Sequence, residues 1–137
     1  MNDIDDELPQ PSGILALQTL AMPADTNPQG DVFAGWLMSQ MDLAGAILAQ
    51  KIARGRVTTV AVGSMVFLRP VPVGSTISCY ADLQEVGRSS IRTIVEVWLT
   101  HVHSGEQVKV TEGEFVFVAI DDRGRTRPVE QPEALSV

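Results

Sequence analysis

Ala34-Gly35-Trp36-Leu37-Met38-Ser39-Gln40-Met41-Asp42-Leu43-Ala44-Gly45-Ala46-Ile47-Leu48-Ala49-Gln50 contains a single charged side chain, Asp42. Asp31 can cap a helix ahead of this stretch and Arg54-Gly55 can stop one, so the spacing predicts a helix running to about Ala53. At about 100° per residue, Phe33, Trp36, Leu37, Ala44, Ile47 and Leu48 share one broad apolar face. The other side carries Met38, Ser39, Asp42, Gly45, Ala46 and Ala49, which is small rather than polar. A helix without a charged face is enclosed on most sides, here within a curved sheet. A carboxylate so placed is costly, because desolvation raises its pKa unless donors compensate. Asp42 is therefore a candidate functional group; the plainer alternative is an aspartate satisfied by backbone or hydroxyl donors, or one at the helix's exposed seam.

Around the helix the period changes to two. Ile14 to Leu20 is a short strand candidate, and Val57 to Leu68 is extended and rich in Val and Thr. Ser75 to Val86 alternates with Ile77, Cys79, Ala81 and Leu83 on one face, and Ser90 to Val102 continues with Ile91, Thr93, Val95, Val97 and Leu99. Gln107 to Ile120 is a final long strand ending at Asp121-Asp122-Arg123-Gly124. Arg69-Pro70-Val71-Pro72-Val73-Gly74, Gly87 and Ser104-Gly105-Glu106 supply the turns. Short connections imply antiparallel neighbours. The expected fold is α+β, with one long helix against a five-stranded antiparallel sheet. One helix covers only one face of such a sheet, so the other meets water or another subunit. Residues 13–127 form the expected domain, flanked by an acidic tail at 1–12 and a C-terminal tail at 128–137.

The chain has 137 residues, 45% of them hydrophobic and 20% charged, which fits one core and excludes a disordered chain. No uninterrupted apolar run is long enough to span a bilayer, and the acidic opening does not resemble a secretory leader, so a cytoplasmic location is expected. Cys79 is the only cysteine, which excludes an internal disulfide and a multi-cysteine zinc site. The formal net charge of −7 argues against a general nucleic-acid or anionic-membrane surface. Locally the balance reverses. Between Leu43 and Arg92, Lys51, Arg54, Arg56, Arg69, Arg88 and Arg92 face only Asp82 and Glu85. This region could hold a small polyanion if the cations converge, and is otherwise a scatter of solvated arginines.

The loop Asn27-Pro28-Gln29-Gly30-Asp31 places an amide donor, a glycine and a helix start within a few residues. These are the parts of an oxyanion hole. They are also the parts of an ordinary Asx turn and helix cap. Cys79 alternates with Ile77 and Ala81 and reads as a core thiol. His101 and His103 share a strand face without an evident third ligand, so no metal site is expected. Trp36, Phe67, Trp98, Phe115 and Phe117 fall at core periods and read as packing. No nucleophile elbow, Walker A loop or dinucleotide fingerprint is present.

The run from Leu20 to Asp42, LAMPADTNPQGDVFAGWLMSQMD, resembles the signature of hotdog-fold acyl-CoA thioesterases of the bacterial YciA type. The resemblance continues through Phe67-Leu68-Arg69-Pro70-Val71-Pro72-Val73-Gly74 and Gly87-Arg88-Ser89-Ser90, and spans Gly13 to about Arg127. It implies a helix wrapped by an antiparallel sheet, a homodimer with joined sheets, and further assembly into a trimer of dimers. It implies hydrolysis of an acyl-CoA to a free acid and coenzyme A, with no cofactor beyond the substrate. The family's catalytic aspartate matches Asp42 and its asparagine Asn27, which in the family meet across the dimer interface. Ala34 stands where many relatives carry glycine.

On that resemblance Asp42 is general base or nucleophile, and Asn27 orients water or substrate. Gly30 and Gly35 lie where backbone N–H groups would stabilise the oxyanion. Arg88, Ser89, Ser90, Arg69 and Arg56 are the candidates for the coenzyme A phosphates. Two other readings stand beside it. A hotdog hydratase or dehydratase would want a histidine beside the carboxylate, and a non-catalytic acyl-CoA sensor would need no buried base.

Overall fold

A computed structural model describes residues 10–130; the expected tails lie partly outside these residues, at 1–9 and 131–137. The elements run β1 (Ile14–Leu20), a 3-10 turn at Pro23–Asp25, α1 (Ala34–Ala53), β2 (Val57–Val62), β3 (Thr76–Val86), β4 (Ser90–Thr100) and β5 (Gln107–Ala119). The five strands form one sheet in the order β1-β3-β4-β5-β2, with every neighbouring pair antiparallel. The expected class is observed.

Alternation in β3 and β4 builds the core. Ile77, Cys79 and Ala81 face α1 with Ile91, Thr93, Val95, Val97 and Leu99, all buried. From β5 come Phe115, Phe117 and Ala119. The helix answers with Leu37, Met41, Ala44, Gly45, Leu48, Ala49 and Ala53. This stripe differs from the expected face: Phe33 precedes the helix and is exposed, whereas Gly45 and Ala49, from the small-residue side, press on the sheet. Apolarity spread around most of the helix gives no direction, so closeness of approach decides. A Cβ at Gly45 would lie 2.9 Å from the Phe117 ring and 3.3 Å from Val95.

Asp31 is not the helix cap. It forms an isolated bridge with Pro72, and the N-cap residue is Phe33, which supplies no side-chain hydrogen bond. At the other end Arg54 adopts a left-handed conformation (φ 57°), donating its N–H to the Gln50 carbonyl. The extended segment expected to Leu68 leaves the sheet after Val62, and Leu68 N–H donates to the Val110 carbonyl. The outward face of the sheet is partly covered by the chain start. Ser12 N–H and the Trp98 indole both donate to Glu96 Oε1, so Trp98 is buried on that face rather than in the helix-facing core. The core also continues past Arg127, since Val129 is only 6% exposed.

Gly45→Ala forces the helix away from Phe117. It should destabilise the fold by about 1–3 kcal/mol, the usual scale of overpacking, with urea unfolding as the measurement. An unchanged midpoint would show that α1 does not need this approach.

Candidate active site

The loop before α1 is held by its own backbone. Asn27 N–H donates to the Asp31 carbonyl (2.7 Å) and Gly30 N–H to the Asn27 carbonyl (2.9 Å). The loop is laced to the following turn by Val32 N–H to Val71 O (2.8 Å) and Val73 N–H to Gly30 O (3.0 Å). Within it, Asn27 Oδ1 accepts from the N–H groups of Gln29 (2.9 Å) and Asp31 (3.1 Å). That fixes the orientation of the carboxamide, because an oxygen facing two donors leaves Nδ2 as the outward donor. Nδ2 has no acceptor among the described residues.

Gly30 takes φ +88° to close the turn, and its N–H is engaged. The donors left at the helix start are therefore Ala34 and Gly35, which have neither a side-chain cap nor another acceptor among the described residues. Helix-start N–H groups carry the positive end of the dipole. A cavity of about 440 Å³ adjoins Ala34, lined also by Asn27, Leu37, Phe67 and Arg69; Gly35 is not in its lining. Phe67, expected in the core, is instead part of this wall.

Asp42 lies elsewhere. It is eight residues beyond Ala34, about 12 Å along the helix axis, and does not line that cavity. It is half-buried. Thr59 Oγ1 donates to Asp42 Oδ1 at 2.6 Å, leaving Oδ2 without a partner among the described residues. Thr59, which this bond joins to the candidate carboxylate, has no place among the residues expected from the sequence. It sits on β2 at a register shift between Thr59 and Ala61, and bulges of this kind re-aim side chains. The only local signal was a pair of threonines in an apolar strand.

The candidate cations divide into two places. Arg69 borders the Asn27 cavity and also a larger hollow of about 610 Å³ on the outward sheet face, which contains neither Asn27 nor Asp42. Arg56 and the Arg88-Ser89-Ser90 turn flank the end of β5 from its two sides, where Ala119 N–H donates to Ser89 O and Ile120 N–H to Arg56 O. The Arg56 guanidinium donates to the Asp121 and Asp122 carbonyls. Arg88 is exposed, with no ion pair among the described residues. Arg92 is neutralised by Glu85 and Glu114. His101 and His103 lie exposed beyond β4, and among the described residues no three His, Cys, Asp or Glu side chains group to hold a metal ion.

A family model described as the thioesterase superfamily matches residues 29–106, from the Asn27 loop through the β4–β5 turn. The chain belongs to the thioesterase superfamily. A Salmonella typhimurium acyl-CoA thioester hydrolase, YciA, is 55% identical over 122 residues, covering 87% of this chain and 92% of its own. The crystal structure of a hexameric thioesterase from Yersinia pestis superposes with a TM-score of 0.85 at 53% identity, covering 89% of this chain and 99% of that one. A hexameric broad specificity acyl-coenzyme A thioesterase gives 0.86 at 51% identity, covering 94% and 93%. The shared architecture is the hotdog fold.

Cys79, the one thiol of this thioesterase-family chain, is fully buried, and that burial pushes its pKa up to about 12. Only the thiolate reacts. The native protein should therefore resist a thiol reagent at neutral pH and react with one equivalent on unfolding; rapid labelling of the folded chain would overturn the reading of Cys79 as a core thiol.

Proposed function

We propose that this protein hydrolyses acyl-CoA thioesters to a carboxylic acid and coenzyme A. The observation that carries the reading is the Asn27 carboxamide, with its oxygen engaged and its Nδ2 without an acceptor among the described residues, lining one cavity with Ala34 at the uncapped start of α1. Such preorganised donors suit the charge that develops on a thioester carbonyl oxygen as the carbon becomes tetrahedral. Asp42 Oδ2, with Oδ1 held by Thr59, takes a proton from the attacking water. The new C–O bond forms, the C–S bond breaks, and that proton goes to the departing sulfur. Direct attack by Oδ2 is the alternative. It expels the coenzyme A thiolate and forms an anhydride that water then hydrolyses, so label in Asp42 after a single turnover in heavy-oxygen water would establish this route through water attack on the Asp42 carbonyl.

The anionic end of coenzyme A fits the Arg56 and Arg88-Ser89-Ser90 grouping, while Arg69 guards the Asn27 cavity. Substrate and water suffice as reactants, so the reading includes no cofactor. A hydratase is disfavoured by the place of His101 and His103, outside the Asn27 cavity. Among the described residues no helix is long and apolar enough to cross a membrane, and we assign the enzyme to the cytoplasm.

Asp42 does not line the Asn27 cavity and lies about 12 Å along α1 from Ala34, which does. We therefore assign each site to two chains of a homodimer, three of which would form the hexameric state named for its relatives. The free edge of β2, with Val60 and Val62 exposed, and the exposed Met38 and Leu43 of α1 support this assembly.

Thiol release across acetyl-CoA to long-chain acyl-CoA tests the activity; a folded protein that releases no thiol from any of them would sink it. Asp42→Asn should lower turnover by at least about 100-fold, the scale of a general base, while leaving the melting temperature within a few degrees. Near wild-type turnover would remove Asp42 from the chemistry. Inactive Asn27→Ala and Asp42→Asn proteins, unfolded together and refolded, should regain activity. Random pairing makes about half of the dimers mixed and restores about a quarter of all sites. A mixture that exchanges subunits yet stays dead would overturn the shared site.

A further inference from the structure

Beyond β5 the chain reverses and runs back across the end of the sheet. Asp121 Oδ1 accepts from the N–H groups of Arg123 and Arg125, both at 2.9 Å, and Gly124 takes φ +80° to close the turn. Thr126 bridges to Ile120. Arg127 then makes three bonds. Its N–H donates to Ala119 O (3.0 Å), Nε to Ile120 O (3.0 Å) and Nη2 to Ala53 O (3.0 Å) in the last turn of α1. Two residues on, Val129 buries its side chain in the core, and its N–H donates to the Arg88 carbonyl at 2.7 Å.

This strap therefore fastens three elements that share no sequence neighbourhood. Arg127 answers orphan carbonyls at a helix end, where a cation also suits the dipole. Val129 reaches the turn between β3 and β4 and holds its backbone from outside the sheet. The Arg88 side chain, by contrast, is exposed and unpaired among the described residues, so the turn is fixed while its guanidinium stays available. Ala119 N–H to Ser89 O (2.9 Å) adds a second tether one residue later.

We propose that Arg127 and Val129 are positioning residues for substrate binding: the C-terminal strap fixes the backbone from which Arg88 and Ser89 meet the phosphates of coenzyme A. The inference rests on the assignment of that turn to the phosphates. Its physical content is preorganisation. A turn already held needs less ordering when the ligand arrives, and the saving appears in affinity. None of the strap's bonds reaches Asn27, Asp42 or Thr59.

The test compares two substrates bearing the same acyl group: a coenzyme A ester and an N-acetylcysteamine ester, which keeps the thioester but has no phosphate. Arg127→Ala removes two bonds to backbone carbonyls. Val129→Pro keeps apolar bulk but deletes the N–H that Arg88 O accepts, so the inference remains testable if one variant fails to fold. Each folded variant should raise KM for the coenzyme A ester about fivefold or more, the scale of one lost hydrogen bond, with kcat within about twofold. Kinetics on the short ester should not move. In an Arg88→Ala background the strap variants should add little, since coupled residues are not additive. Equal losses on both substrates would mark a merely structural strap and overturn the inference. So would unchanged KM in folded strap variants where Arg88→Ala raises it, with the phosphate assignment intact. If Arg88→Ala itself leaves KM for the coenzyme A ester unchanged, the phosphate assignment falls and the strap inference with it.

Discussion

The approach of α1 to the sheet at Gly45 governs the rest of the molecule. With Phe117 and Val95 in contact distance of that glycine, the helix can rotate little about its axis without opening a gap or a clash. Met41, Ala44, Leu48 and Ala49 then face the inward row of β3, β4 and β5. Asp42 is three residues before Gly45, about 60° away around the helix. The packing that buries Gly45 therefore turns Asp42 toward the rim, where β2 passes. Thr59 reaches it there because β2 shifts register at that point. A core contact without chemistry of its own thus aims the carboxylate.

At the other end of α1, turn chemistry and donor chemistry are one arrangement. The two bonds accepted by Asn27 Oδ1 are those of an ordinary Asx turn. They also fix the carboxamide plane and leave Nδ2 as the outward donor. The helix that follows lacks a side-chain cap, forgoing about 1 kcal/mol of the stabilisation that a good cap contributes. Asp31 sits close enough in sequence to have supplied it, yet its backbone pairs with Pro72. Donors left without a partner beside a cavity suit an anionic transition state better than a stable ground state.

Much of this was legible in the residues. The alternation of Ile77, Cys79 and Ala81, and of Ile91 through Leu99, fixed which strand faces are inward, because a period of two has a single reading. Arg54-Gly55 marked the helix end within a residue. The buried face of α1 was not legible, since a helix apolar nearly all round has no preferred side until its partner surface is known. Thr59 was invisible for a different reason: its bond to Asp42 depends on a strand shift that local pattern does not encode. The cations illustrate the same limit. Arg56 and the Arg88-Ser89 turn are far apart in the chain and come to flank the end of β5 through Ile120 and Ala119, whereas Arg92, equally basic, is neutralised across the strands.

The length of α1 then turns the two halves of the site into an argument about symmetry. A reacting carbonyl needs its oxyanion donor and its base within hydrogen-bond reach of adjacent atoms. Ala34, beside the Asn27 cavity, and Asp42 lie about 12 Å apart along one rigid helix, and the Asn27 loop is laced to the following turn by the Val32–Val71 and Val73–Gly30 bonds. A second copy related by a two-fold axis at the β2 edge would run antiparallel to the first, as edge-to-edge pairing through the same strand requires. Its helix would be inverted too, bringing the start of one α1 toward the middle of the other. The exposed Met38 and Leu43, unexplained in a single chain, would then line the approach. On the proposed two-chain site, the isolated chain would be a folded scaffold carrying halves of two different sites, which isologous pairing would complete together.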